Sequence, residues 1–100
     1  MSVSLLDNYQ RQLQILAELR EESQAARARF ETARNIYGQQ ISRAEQLGYM
    51  GDYVAQLQQR YRAFSELMDQ ALITLVRGEL RIDGQTERLR GLMADASRSD

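Results

Sequence analysis

The chain has 100 residues, 13 basic and 14 acidic, with a formal net charge of −1 and neither histidine nor cysteine. This length predicts a single domain over residues 1–100, and the balanced charge argues against a strongly basic nucleic-acid binder. Without histidine and cysteine, the sequence lacks the commonest general base, the thiol nucleophile and the thiolate ligands of metal sites. We therefore predict a protein that is not an enzyme and has no catalytic residues, cofactor or metal site.

The first half of the chain is predicted to be one long helix. Proline is absent and glycine occurs only six times, which favours an all-α fold. Helix 1 is predicted over residues 4–47, since Ser4 and Asp7 form a capping-box pattern at its start. The predicted turn covers residues 48–52, where Gly48 ends the helix.

The second half is predicted to form another helix, over residues 53–94, with Asp52 as its N-cap. A weaker break occurs at Asp83-Gly84. This break either kinks helix 2 or starts a short third helix that is capped by Thr86. The polar tail at residues 95–100 is predicted to be frayed.

Apolar residues recur at steps of three and four along both predicted helices, as in the seam of a coiled coil. The helix 1 stripe is Tyr9, Gln12, Leu16, Leu19, Ser23, Ala26, Phe30, Ala33, Tyr37, Gln40, Ala44 and Leu47. The helix 2 stripe is Val54, Leu57, Tyr61, Phe64, Met68, Ala71, Leu75, Gly78, Ile82, Gln85, Leu89 and Leu92. Two long helices joined by a short turn pack antiparallel. With the turn near residues 48–51, residue i faces roughly residue 99 minus i, which places Tyr37 near Tyr61 and Leu16 near Ile82.

The charged residues on helix 1 are predicted to form ion pairs. A carboxylate cluster in a helical bundle binds metal together with histidine, which this chain lacks. We expect Glu18, Glu21 and Glu22 to pair instead with Arg20, Arg77 and Arg81. An arginine stripe could follow phosphates, but glutamates lie beside it, and we predict no nucleic-acid partner.

A second apolar set lies off the two stripes, where a two-helix hairpin cannot cover it. It comprises Leu5, Leu6, Leu13, Ile15, Ile36 and Ile41 on helix 1, and Tyr53, Leu67, Ile73, Val76, Leu80 and Met93 on helix 2. We predict an antiparallel hairpin that pairs into a four-helix bundle, as a homodimer or with a similar hairpin. A self-contained bundle that folds back after Gly84 is the alternative. The predicted partner-binding residues are Ile36, Ile41, Leu67, Ile73 and Val76, with Tyr49, Gly51 and Tyr53 at the turn.

The turn sequence Tyr49-Met50-Gly51 resembles the Trp-x-Gly motif of the WXG family, the helical hairpins of type VII secretion, with tyrosine in place of tryptophan. The resemblance implies two long antiparallel helices, dimerisation and export. Tryptophan is absent from this chain, and no tyrosine follows Tyr61, so the family's C-terminal Tyr-x-x-x-Asp/Glu export signal is absent too. The resemblance therefore implies either the partner that lacks the signal or a divergent relative.

These patterns predict a function in protein–protein interaction. The resemblance implies a secreted or secretion-associated dimer, and the alternative is a cytoplasmic coiled-coil adaptor or chaperone that binds a partner helix. A nucleic-acid-associated structural protein is a third hypothesis. The longest apolar stretch, residues 71–76, is far shorter than the roughly 18–20 residues of a membrane span. The N-terminus has no signal-peptide pattern, so we expect a cytoplasmic protein whose export would need no cleaved signal.

Overall fold

The computed structural model describes residues 4–48 and 51–99. These residues form two helices, α1 (Leu5–Gln46) and α2 (Asp52–Ser99), and the described ranges contain no strand. Many contacts join the two helices. The protein is therefore an all-α helical hairpin, as predicted.

The ends of α1 follow the predicted capping pattern. The backbone N–H of Asp7 donates to Oγ of Ser4 at 3.1 Å, which satisfies one of the unpaired donors in the first turn. After α1 ends, Gly48 donates its N–H to the carbonyl of Glu45 at 3.1 Å. Gly48 has a φ of 82°, a left-handed conformation that favours glycine.

The start of α2 differs from the prediction by one residue. The predicted N-cap, Asp52, is the first residue of the helix, and the N–H of Ala55 donates to the carbonyl of Gly51 at 3.1 Å. Gly51 therefore occupies the N-cap position, with a φ of 76°. Asp52 instead places a negative charge in the first turn, where the helix dipole favours it.

No break occurs at Asp83-Gly84, and α2 continues to Ser99, past the predicted end. The predicted third helix and the bundle that folds back after Gly84 are therefore wrong. The hydroxyl of Thr86 donates to the carbonyl of Ile82 at 2.8 Å within α2, instead of capping a new helix. One internal glycine costs only about 1 kcal/mol, and the packing of α2 against α1 exceeds this cost. The segment predicted to be a frayed tail is helical up to Ser99.

Tertiary contacts divide the chain into two compact units. Unit 1 contains Met1–Gln24 and Leu75–Asp100, and unit 2 contains Ala25–Thr74. Each unit combines a segment of α1 with a segment of α2. The single domain over residues 1–100 stays a prediction.

The antiparallel register is close to the predicted one. In unit 2 the rings of Tyr37 and Tyr61 lie 5.7 Å apart between centroids, which confirms that predicted pair. The polar pairs, however, lie about one turn further along α2 than that register places them. Arg34 bonds Asp69 in unit 2, and Arg20 bonds Asp83 in unit 1. Helical side chains lean toward the N-terminus of their own helix, so long side chains meet partners with higher residue numbers.

The predicted stripes form most of the packed surface. At three positions on α1, however, the packed residue is the one that follows the predicted residue. Gln12, Leu19 and Gln40 are exposed, whereas their neighbours Leu13, Arg20 and Ile41 are partly or fully buried. Ile41, a predicted partner-binding residue, lies in the core of the hairpin itself, with only 8% of the residue exposed. An α-helix drifts by about 20° per heptad relative to a strict seven-residue repeat, so the packed stripe leaves the heptad positions.

Candidate functional site: an apolar groove in unit 1

An open groove runs between the two helix segments of unit 1. Its volume is about 440 Å³, and it is lined by Tyr9, Gln12, Ile15, Leu16, Gln85, Arg88, Leu89 and Leu92. Leu16 and Leu89 are buried and form its floor. Ile15 and Leu92, which form its walls, are 55% and 37% exposed. The groove therefore presents apolar surface that the hairpin itself leaves uncovered.

The other flank of unit 1 is more polar. Successive residues of a helix are rotated by 100°, so Ile15 and Ala17 lie on opposite sides of the buried Leu16. Ala17 lines a second groove of about 650 Å³, together with Leu13, Gln14, Leu16, Arg20, Ile82, Asp83, Thr86, Glu87 and Arg90. The ion pair between Arg20 and Asp83 lies in this flank. The first groove thus differs from the second in having the exposed apolar side chains Ile15 and Leu92 on its walls.

A polar cluster joins α1 and α2 inside unit 1. Glu79 is only 5% exposed, and its Oε2 accepts a hydrogen bond from the Ser23 hydroxyl at 2.9 Å. Nη1 of Arg20 lies 3.8 Å from Oε1 of Glu79. Arg20 also donates from Nε to Oδ1 of Asp83 at 2.8 Å and from Nη2 to Oδ2 at 3.2 Å. A buried carboxylate is costly without such partners, so the cluster fixes which segments of the helices pair.

The bidentate hydrogen bond shifts the titration of both partners. The Arg20 guanidinium holds the pKa of Asp83 below its ordinary value, mainly through the side-chain hydrogen bond. The same hydrogen bond raises the pKa of Arg20, and the Asp83 charge adds to the effect. Both groups are therefore charged near neutral pH, and the cluster has a structural role in holding the groove walls together.

Unit 2 is held by aromatic packing. Tyr37 contacts Tyr61 and Phe64, with centroids 5.7 and 5.6 Å apart. Gly38 follows Tyr37 and packs against the Tyr61 ring, whose atoms would lie 3.7 to 3.8 Å from an added Cβ, an ordinary van der Waals contact. Beside this contact lies a polar groove of about 700 Å³, lined by Arg34, Asn35, Gly38, Gln39, Ser42, Arg43, Gln46 and Tyr61. The lining of this groove therefore offers mainly hydrogen-bonding groups.

The predicted partner-binding residues of unit 2 are mostly exposed but do not share one face. Ile36, Leu67 and Ile73 are 51%, 65% and 52% exposed. Ile36 and Gly38 flank the inward Tyr37 on opposite sides, so Ile36 faces away from the polar groove. Leu67 and Ile73 are six residues apart and are therefore rotated by about 120° from each other on α2. No single site joins them.

The remaining predicted residues have separate positions. Tyr53 is 55% exposed in the first turns of α2, and Gly51 caps that helix. Val76 belongs to unit 1, where it is 42% exposed on α2 and lines neither groove of that unit. Tyr49 lies outside the described residues. None of the predicted partner-binding residues that the structure describes lines the apolar groove.

Two signals in the sequence point to features that we did not predict. Ile15 belongs to the second apolar set, and Leu92 was placed in the seam, so both groove walls were known as apolar positions. Glu79 interrupts the apolar stripe between Leu75 and Ile82, and a carboxylate at such a position requires a partner on the facing helix.

Comparisons with protein families, with curated proteins and with solved structures found no match to this chain. Within residues 4–48 and 51–99, no group of three or more acidic residues could hold a metal ion. Neither helix, over its described length, has a stretch both long and apolar enough to cross a bilayer. The groove itself is thus the basis for a functional proposal.

Proposed function

We propose that this protein is non-enzymatic and acts through protein–protein contacts, as one half of a four-helix assembly. The apolar groove of unit 1 would accept another helical hairpin. The observation that carries the proposal is the imbalance between buried and exposed apolar side chains. Among the described apolar residues only Leu16, Ile41, Ala44 and Leu89 are buried, and no side chain is fully enclosed. Large exposed hydrophobic residues cost solubility in a monomer and mark interaction surfaces.

The test compares two aspartate substitutions at exposed apolar positions of unit 1. Ile15→Asp places a charge on the groove wall, and Leu80→Asp places one at a residue that is 65% exposed and lines neither groove. We expect Ile15→Asp to abolish association, because a partner would bury the charge. Leu80→Asp should associate like the wild type. Both variants should keep the wild-type helical circular dichroism.

Association is measured in two ways. Sedimentation equilibrium of the pure protein reports self-association, and affinity purification from the native host with mass spectrometry reports other partners. If wild-type protein is monomeric and retains no partner, or if Ile15→Asp associates normally, the proposed function is wrong.

The setting of this function is proposed on the resemblance at Tyr49-Met50-Gly51. It supports a secretion-associated dimer of the WXG type, made in the cytoplasm and exported without a cleaved signal peptide. Detection of the protein in the culture filtrate of the native host, under conditions without cell lysis, tests export. Retention in the cytoplasm, together with an Ile15-dependent partner, would favour the alternative of a cytoplasmic adaptor or chaperone.

A further inference from the structure

On the groove side of unit 1, the segment of α1 that follows Ile15 and the facing segment of α2 carry opposite charges. On α1, Glu18 and Glu22 follow the groove residue Ile15 by three and seven positions, so they share its face of the helix. On α2, Arg88 lines the groove and Arg81 precedes it by seven positions, on the same face. All four charged side chains are exposed. Within the described ranges, the structure gives none of the four an ion-pair partner.

These acidic and basic edges lie at matching heights along unit 1. The contacts of Arg20 with Asp83 and of Ser23 with Glu79 fix the antiparallel register. On α1, Glu22 lies between Arg20 and Ser23. On α2, Arg81 lies between Glu79 and Asp83. Glu18 lies one half-turn before Arg20, at a height between Arg81 and Arg88.

This pattern is complementary to itself under one particular rotation. A two-fold rotation about an axis parallel to the helices leaves each residue at the same position along that axis. It also sets α1 of one copy along α2 of the other. Glu18 and Glu22 of each copy then meet the arginine edge of the other copy. A two-fold axis perpendicular to the helices would instead set α2 against α2 and bring Arg81 of one copy to Arg88 of the other. Such like-charge contacts disfavour that arrangement.

Building on the proposed function, we infer that the occupant of the groove is a second copy of this chain, related by a two-fold axis parallel to the helices of unit 1. The exposed apolar side chains lie between the charged edges, with Ile15 55%, Leu19 47% and Leu92 37% exposed. The second copy covers them, and the ion pairs at the edges set its direction. Apolar burial supplies the affinity, and charge pairing supplies the specificity.

Disulfide trapping tests the arrangement, because the chain has no native cysteine. The substitutions Leu19→Cys and Gln85→Cys are made in separate chains, at two exposed positions of unit 1 that lie at similar heights. We expect an equimolar mixture, after mild oxidation, to give mainly the mixed Leu19→Cys/Gln85→Cys dimer. Predominant disulfides between two Leu19→Cys chains or between two Gln85→Cys chains would overturn the parallel axis.

Charge reversal provides an independent readout by sedimentation equilibrium. The double variants Glu18→Arg/Glu22→Arg and Arg81→Glu/Arg88→Glu should each self-associate at least about tenfold more weakly than the wild type. The chain that carries all four changes should regain self-association, because its edges are complementary again. Failure of this rescue, with wild-type helicity retained, would overturn the inference.

The outcomes separate this inference from the function on which it rests. If pure wild-type protein stays monomeric but captures a different protein through Ile15, the second copy is wrong and the proposed function stands. If it neither self-associates nor captures a partner, both are wrong.

Discussion

Glu79 and Asp83 illustrate what one residue adds to a hairpin with a thin core. Glu79 is buried in the packed stripe of α2 and Asp83 lies on the flank of that stripe, and both contact Arg20 of α1. The predicted partners of Arg20 were Glu18, Glu21 and Glu22, and this prediction is wrong, because Arg20 pairs with the two acidic residues of α2 instead. The sequence pattern could mark Glu79 as unusual but could not predict its partners. Predicting them requires the register of α1 against α2 to within one helical turn.

We predict that Asp83→Asn destabilises the protein near neutral pH and has less effect in acid. The pKa of Asp83 is lowered by Arg20, so its stabilising effect is present above its ordinary pKa of 3.8. That effect is lost as the pH falls from there through the lowered pKa in the fold. The measurement is the difference in melting temperature between wild type and variant, at neutral pH and in a series of buffers from pH 4 downward. A difference that does not shrink on acidification would contradict the prediction.

The two helices could be predicted because their signals are local. Ser4 caps α1 as its pattern predicts, and Gly48 ends it. The face that each helix buries was predicted less well, because a strict heptad pattern deviates progressively from 3.6 residues per turn. Ile41, a predicted partner residue, is a core residue, whereas Ile36 is exposed as predicted.

The pair Ile41 and Ile36 gives a direct test of this assignment. Ile41→Ala should destabilise the protein by about 2 to 4 kcal/mol, because it removes buried methyl groups and leaves a cavity. Ile36→Ala is the matched control and should change stability by less than about 1 kcal/mol, since the side chain is 51% exposed. Urea unfolding of both variants at low protein concentration measures the two effects. A larger loss for Ile36→Ala would reverse the assignment of the packed face.

Substitution of glycine by alanine should have opposite effects on stability within α2 and at the turn. Gly84 is inside α2, and an added Cβ there meets no atom within 4 Å. Gly84→Ala should therefore stabilise the protein by about 0.5 to 1 kcal/mol. Gly48→Ala should destabilise it by about 1 to 2 kcal/mol, because a φ of 82° is strained for alanine. Thermal melts of the two variants decide this, and a stabilising Gly48→Ala would show that the turn has another conformation.

At the scale of the whole molecule, the sequence predicted a surface for partners but not its position. The excess of apolar residues could be counted directly, and it is confirmed as exposure at most of the second apolar set. The groove of unit 1 could not be predicted from the sequence, because its walls depend on which residues beside each packed stripe stay exposed. That Ile15 and Leu92 line the same groove follows only once the register of α1 against α2 is known.

The absence of any fully enclosed side chain among the described residues has a thermal consequence for a single chain. The heat capacity of unfolding is set mainly by the apolar area that becomes hydrated. Where even core residues such as Leu16 and Leu89 keep 9% and 8% of their surface in water, this change is small for the chain length. A small heat-capacity change flattens the dependence of unfolding free energy on temperature. We therefore expect a lone hairpin to have a shallow stability curve and little tendency to denature in the cold.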